Sequence, residues 1–246
     1  MTKLFAYPLT VLYFICFGLT LVIFHPIQWF CKTIFGYQAH KISVDWLQFF
    51  LMRSLNVLGT TFSFHNPHHI KTGVPLILVA NHQSMYDIPP LIWYLRQHHV
   101  KFISKKELGK GIPSVSYNLR HGGSVLIDRK DAISSIKAIE DFAKRIEANN
   151  WAAVIFPEGT RSRDGNPKPF KTKGLMTMIT HAPNALVVPI TINNSWKTLR
   201  YGKFPMGLGA KITFTVHKPI EPNTYADKAE LITTVESQIT QHIINA

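Results

Sequence analysis

The sequence predicts an α/β fold: a mostly parallel sheet covered by helices on both faces, preceded by an N-terminal membrane-embedded helical hairpin. Three observations predict it. Beyond Thr60, short β-branched runs alternate with helical stretches, the connections between them are brief, and the segment Leu4 to Phe24 carries no charge.

Leu4 to Phe24 would span roughly 30 Å as a helix, enough to cross a bilayer. Its apolar stretch exceeds the core of a signal peptide, and no small-residue cleavage site follows it. Pro8 falls early in the segment, and His25-Pro26 is expected to end or kink it. Apolar residues resume at Ile27 to Cys31, where Trp29 suits a headgroup interface. Val44 to Leu58 interrupts its apolar residues with Asp45, Gln48, Arg53 and Asn56, the pattern of an amphipathic interfacial helix rather than a second crossing. A helical hairpin in one leaflet is therefore expected, with a single span as the alternative.

Strands are expected at Val74 to Ala80, Val100 to Ser104, Gly123 to Ile127, Ala152 to Phe156, Leu186 to Ile192 and Lys211 to His217. Between them, Ile133, Ile136, Ile139, Phe142 and Ile146 recur at helical spacing behind Asp131, a suitable cap. Asp227 to Ile244 reads as a closing helix.

The chain has 246 residues, enough for one α/β domain and an appendage. Lys and Arg number 27 against 14 Asp and Glu, a net charge of +13 that favours anionic surfaces. The basic residues are scattered and no nucleic-acid motif appears, so a lipid headgroup or phosphorylated substrate is preferred to nucleic acid. Cys16 and Cys31 both lie in the apolar region and form neither a zinc site nor a disulfide scaffold. His65, His68 and His69 lack an acidic or cysteine partner at ligand spacing, so no metal is expected. His98-His99 read as a solvated helix end, and Trp93 and Tyr94 as packing residues.

Two segments carry chemistry. Asn81-His82-Gln83-Ser84-Met85-Tyr86-Asp87 follows a buried strand, where open α/β sheets keep their ligands. His82 and Asp87 are five residues apart and cannot share a helix face, so the pair straddles a turn. Pro89 and Pro90 suit a first helical turn, which places the helix start near Asp87 and His82 in the loop before it. Asp87 can then fold back, fix the imidazole tautomer and leave the other ring nitrogen as a base. The same residues also fit a capped helix start with a satisfied histidine. In the second segment, Pro157 to Arg163, Gly159 permits close backbone approach, Thr160 offers a donor, and Arg161 and Arg163 offer forks for phosphate. That segment equally fits a turn held by a Glu–Arg pair.

With these blocks the chain resembles the glycerolipid acyltransferase family, membrane enzymes that acylate glycerol 3-phosphate and lysophosphatidic acid. Asn81 to Asp87 matches its NHxxxxD box, and Phe156 to Ser162 its FPEGTR block. Lys105 to Leu108 with Gly123 to Arg129 resembles its second block, and Val188-Pro189-Ile190 its short last one. Two departures stand out. Ser116 occupies the place of a glycine three residues after Pro113, and Phe170 to Gly174 is one residue longer than the family's stretch, which leaves Lys173 without an assigned role. Lys168, Lys171 and Lys173 fit either a basic loop beside the phosphate or a solvated one.

The resemblance implies membrane-anchoring helices over residues 1–60 and an acyltransferase catalytic domain over 61–246, on the cytoplasmic face. It implies that His82 is the base and Asp87 its orienting acid. Glu158, Gly159, Thr160 and Arg161 would shape the acceptor's phosphate site, with Arg129 and Lys105 completing a basic cluster. The expected reaction moves a fatty acyl group from acyl-CoA or acyl carrier protein to the sn-2 hydroxyl of lysophosphatidic acid, with no cofactor and no metal. The absence of a G-x-S-x-G elbow favours direct transfer over a serine acyl-enzyme. Acylation of another lysophospholipid or of glycerol 3-phosphate remains the alternative, as does a non-catalytic membrane-anchored phospholipid-binding module.

Overall fold

A computed structural model describes residues 2–244. The first helix, α1 (Thr2–Leu55), departs from helical dihedrals at a single residue, Gly36, with φ 78° and ψ −158°. That conformation is open to glycine and strained for any other residue. Contacts between the two arms are nearly symmetric about this break. Phe24 meets Phe50, and Leu21 clusters with Leu47 and Leu51. The arms, residues 2–35 and 37–55, thus fold back on each other as the expected hairpin. The turn is at Gly36 and not at His25-Pro26, because helical dihedrals continue through Pro26. Leu4, Leu19, Ile23, Trp29 and Phe35 project outward from the hairpin and are exposed.

The rest of the chain forms a seven-stranded sheet from β1 (Thr61–His65), β2 (Leu76–Ala80), β3 (Val100–Lys105), β4 (Val125–Ile127), β5 (Ala152–Ile155), β6 (Leu186–Asn193) and β7 (Lys211–Val216). Their order is β1-β7-β6-β2-β5-β3-β4. Every pairing is parallel except β6 with β7.

Period-two alternation divides β2 between two cores. Ile77 and Val79 face α4 (Ala132–Asn149), α5 (Thr172–His181) and α6 (Lys228–Thr240), where Phe142, Met178 and Val235 are fully buried. Leu76, Leu78 and Ala80 face α2 (Ile88–Tyr94), through Leu91 and Ile92, and Val44 of the hairpin. Burial on both faces is why β2 and β5 read as continuous apolar runs. Truncating a side chain such as Phe142 to alanine would cost about 3–5 kcal/mol.

The hairpin is packed on the domain. At its base Tyr13, Leu55 and Leu58 cluster with Tyr86 and Met206, and the Tyr13 hydroxyl donates to that of Tyr86 at 3.0 Å. Farther along, Trp46 and Phe49 pack on Trp93, and Tyr94 stacks on Phe64. The helix α3 (Val115–His121) is joined to the preceding turn by Ser116, whose hydroxyl donates to the Leu108 carbonyl and accepts from Ile112 N–H. The serine at the glycine-like position therefore has its own structural role. His98 is buried rather than solvated, and burial pushes its imidazole below the ordinary value.

Candidate active site

Four neighbouring parallel strands, β2, β5, β3 and β4, end on the same edge of the sheet. The chain leaving β2 supplies His82, that leaving β5 supplies Phe156 to Arg161, β3 ends at Lys105, and β4 leads to Arg129. Lys105 is in register with Ile127, two residues before Arg129. Topology alone thus brings the predicted residues to one rim.

Asn81 fixes the position of the loop after β2. Its amide accepts from Ile192 N–H at 2.7 Å and donates to the Ile192 carbonyl at 2.8 Å, so a side chain extends the sheet hydrogen bonding beyond the strand. Ser84 then caps the next turn, accepting from Tyr86 N–H and forming a capping box with Asp87. The helix begins where the two prolines placed it. Asp87 is fully buried, and its Oδ2 lies 2.8 Å from His82 Nδ1. The same oxygen accepts from Gln83 N–H and Ser84 N–H, at 2.8 and 3.0 Å. Two backbone donors hold the carboxylate in place, and an Nδ1–H donated to it leaves Nε2 with the lone pair.

One face of the imidazole and the backbone of His82 are also held. Phe156 stacks on its face with centroids 4.1 Å apart and planes inclined by 17°. Ser162 N–H donates to the His82 carbonyl at 2.8 Å, and the Ser162 hydroxyl adds a second bond. His82 N–H donates to Glu158 Oε1 at 2.8 Å. The other oxygen of Glu158 accepts from Lys168 N–H. Glu158 therefore braces the histidine loop and its own loop through backbone groups, and among the described residues it makes no ion pair with an arginine. Its burial raises the carboxyl above the ordinary glutamate range.

Gly159 closes a turn in which its N–H donates to the Phe156 carbonyl, and its φ of 69° is in the left-handed region. Arg129 crosses from the end of β4 to donate to the Gly159 carbonyl at 2.5 Å. Lys168 Nζ donates to the Arg161 carbonyl at 2.9 Å. Arg129 is depressed first by burial and then by the charge of Arg161, with Glu107 opposing. Among the described residues, neither arginine has a carboxylate within ion-pair distance. Thr160 and Lys105 are exposed on the same rim. Guanidinium groups gathered this way without a carboxylate at ion-pair distance suit a phosphate dianion.

Sequence reasoning gave no individual role to Phe156, Ser162 or Asn81, and it read Lys168 only as part of a basic loop beside the phosphate or a solvated one. Their functions are contacts with backbone or with a ring face, which leave no spacing signal. Among the described residues, no three His, Cys, Asp or Glu side chains gather as a metal site.

The acyltransferase family profile matches residues 61–193, more than half of the chain. This chain belongs to the acyltransferase family. Among its curated relatives, the 1-acyl-sn-glycerol-3-phosphate acyltransferase of Chlamydomonas reinhardtii is 35% identical over 154 residues, covering 63% of this chain and 45% of that protein. Human 1-acyl-sn-glycerol-3-phosphate acyltransferase beta is 28% identical over 178 residues, covering 72% of this chain and 62% of that protein. The matched part is thus less than two thirds of either relative's length. The fold is similar to that of the 1-acyl-sn-glycerophosphate (LPA) acyltransferase PlsC from Thermotoga maritima, with a TM-score of 0.82, 23% identity, and coverage of 99% of this chain and 96% of that one. The acyltransferase domain matched by the profile begins with β1 and ends with β6, so it contains both the His82 loop and the Arg161 loop.

Proposed function

We propose that this chain acylates lysophosphatidic acid at its sn-2 hydroxyl, using an acyl thioester and giving phosphatidic acid for phospholipid synthesis. The observation that carries the reading is the His82–Asp87 pair at 2.8 Å, on the same rim as two arginines that, among the described residues, have no carboxylate at ion-pair distance. The names of the curated relatives support the acceptor.

In this mechanism Arg161, assisted by Arg129 and Lys105, holds the acceptor's phosphate, and the loop Glu158 to Thr160 shapes its seat. The acceptor hydroxyl gives its proton to His82 Nε2 while its oxygen bonds to the thioester carbonyl carbon. Asp87 steadies the imidazolium. The tetrahedral intermediate then expels the thiolate as the carbon–sulfur bond breaks, and the imidazolium returns the proton to sulfur. No covalent enzyme intermediate is required.

Residues 1–60 serve as the membrane anchor and 61–246 as the catalytic domain. The exposed apolar exterior of the hairpin supports embedding in one leaflet, and the net charge of +13 supports docking on an anionic cytoplasmic face. Lateral entry from lipid spares the acyl chains passage through water, which each methylene opposes by about 0.8 kcal/mol.

The test offers purified protein a panel of lysophospholipids and glycerol 3-phosphate with an acyl thioester, follows free thiol, and identifies products by mass. Thiol release that depends on lysophosphatidic acid and vanishes in His82→Ala, with membrane attachment intact, is expected. Release that ignores the acceptor, or activity that survives His82→Ala, would overturn the proposal.

A further inference from the structure

Phe204 is 53% exposed although the chain around it is firmly held. β6 is parallel to its neighbour β2 and therefore ends on the sheet edge that carries His82. One short helical turn, Ser195–Leu199, leads from there into the loop 200–210 before β7. Ser195 N–H donates to Gln83 Oε1 at 2.9 Å, which ties the turn to the loop after β2. Gly202 N–H donates to the Leu199 carbonyl and Gly207 N–H to the Thr198 carbonyl, both at 2.8 Å. Met206 is fully buried, and its N–H donates to the Thr10 hydroxyl of α1 at 2.9 Å. A ring on a loop fastened in this way has no slack by which to retract from water.

The ring belongs to a larger patch. Phe204 meets Tyr7 edge to face, with centroids 5.4 Å apart, and Tyr7 is itself exposed beside Leu4 and Phe5. Leu4, Val11, Ile15 and Val22 are exposed at helical spacing on one face of α1, so the patch runs on into the apolar exterior of the hairpin. Cations frame its other side. Lys3 lies 5.7 Å and Arg200 4.8 Å from the centre of the Tyr201 ring, Lys197 lies 5.6 Å from that of Trp196, and Lys203 adjoins Phe204. Arg200 also donates to the Leu208 carbonyl at 3.0 Å. Among the described residues none of these cations pairs with a carboxylate. Exposed rings set among cations match the level of a bilayer where acyl chains give way to phosphates. Nucleic acid would match the cations and leave the apolar strip bare, whereas an anionic leaflet matches both.

We infer that the loop 200–204, with Lys3 and Tyr7, is a second membrane-contact site, in which Phe204 enters the lipid surface and the cations around it bind anionic phospholipid headgroups. The inference rests on the reading of the hairpin as embedded in one leaflet. It adds a contact at the His82 edge of the sheet, which turns that edge toward lipid and fixes rotation about the hairpin.

The experiment places one environment-sensitive dye on the full chain in a Cys16→Ser/Cys31→Ser background, at Phe204→Cys, at Ile23→Cys on the hairpin exterior, or at Ile133→Cys. Ile133 is exposed on α4, which covers the sheet face opposite the hairpin. Each protein is reconstituted into vesicles of phosphatidylcholine, alone or with phosphatidylglycerol, containing phosphatidylcholine spin-labelled at the headgroup or along the acyl chain. The dyes at 23 and 204 should be quenched and that at 133 should not. Quenching at 204 should grow with the phosphatidylglycerol content and fall by about half or more in Lys197→Gln/Arg200→Gln/Lys203→Gln, while quenching at 23 stays the same. A dye at 204 that stays bright while that at 23 is quenched overturns the inference and leaves the hairpin reading intact. Quenching at 204 that ignores both phosphatidylglycerol and the triple substitution overturns the headgroup assignment, and quenching at 133 equal to that at 204 overturns the site. A bright dye at 23 removes the hairpin reading itself.

Discussion

Phe156 lies face to face with His82, 4.1 Å between ring centroids, so the residue that ends the β5 run also sets the plane of the imidazole. Stacking of this kind contributes about 0.5–1.5 kcal/mol. Phe156→Leu keeps apolar bulk and loses the flat contact. Its kcat should fall by about threefold to tenfold with little change in the KM for either substrate, as steady-state kinetics would show.

Asp87→Asn preserves shape but places an amide where an imidazole N–H and two backbone N–H groups converge. The tautomer of His82 should invert or its ring turn away. By the precedent of hydrolase triads, kcat should drop by roughly three to four orders of magnitude. Circular dichroism should show a folded chain, since the Ser84 cap and the Asn81 bracket remain.

Arg161→Lys keeps the charge and loses the planar fork. The KM for lysophosphatidic acid should rise about tenfold, equivalent to about 1.4 kcal/mol. Low activity toward a monoacylglycerol, which has no phosphate, should be unaffected. An equal loss for both acceptors would assign Arg161 a structural role.

His217 packs at a tilt against His242, with ring centroids 4.6 Å apart, and hydrogen-bonds Thr191 at 2.8 Å. Burial first, then the charges of His242 and His68, lower its imidazole from 6.5 to about 4. The unfolded chain therefore takes up this proton near pH 6.5, while the folded chain resists until about 4. Its contribution to stability is complete at neutral pH and is lost as pH falls through that window. His217→Gln removes the linkage, so unfolding midpoints measured from neutral pH to about pH 4 should fall less steeply in the variant.

Much of this architecture was legible because burial on both faces writes itself as apolar runs. β2, β5 and β6 announce themselves this way, and α4 does so by the spacing of Ile139, Phe142 and Ile146. The edge strand β1 passed unread, since Thr61-Phe62-Ser63-Phe64-His65 buries neither face fully. Its period-two alternation of polar and aromatic residues was the available signal. α5 was hidden by the lysines around its start, although Leu175, Met178 and Ile179 have helical spacing. At the candidate site, the hydrogen bond between Asp87 and His82 followed from sequence separation and proline placement. Glu158 did not, because its partners are backbone N–H groups of residues 76 and 10 positions away. The turn of the hairpin was misplaced because proline is the more conspicuous helix breaker, whereas the reversal needed the dihedral freedom of Gly36.

The hydroxyl contact between Tyr13 and Tyr86 joins the hairpin to the residue just before Asp87. The hairpin is therefore a fixed strut beneath the His82 loop rather than a slack tether. If it sits in lipid, its insertion depth sets the elevation of the imidazole above the bilayer, and with it how far a single-chain lipid must rise to be acylated.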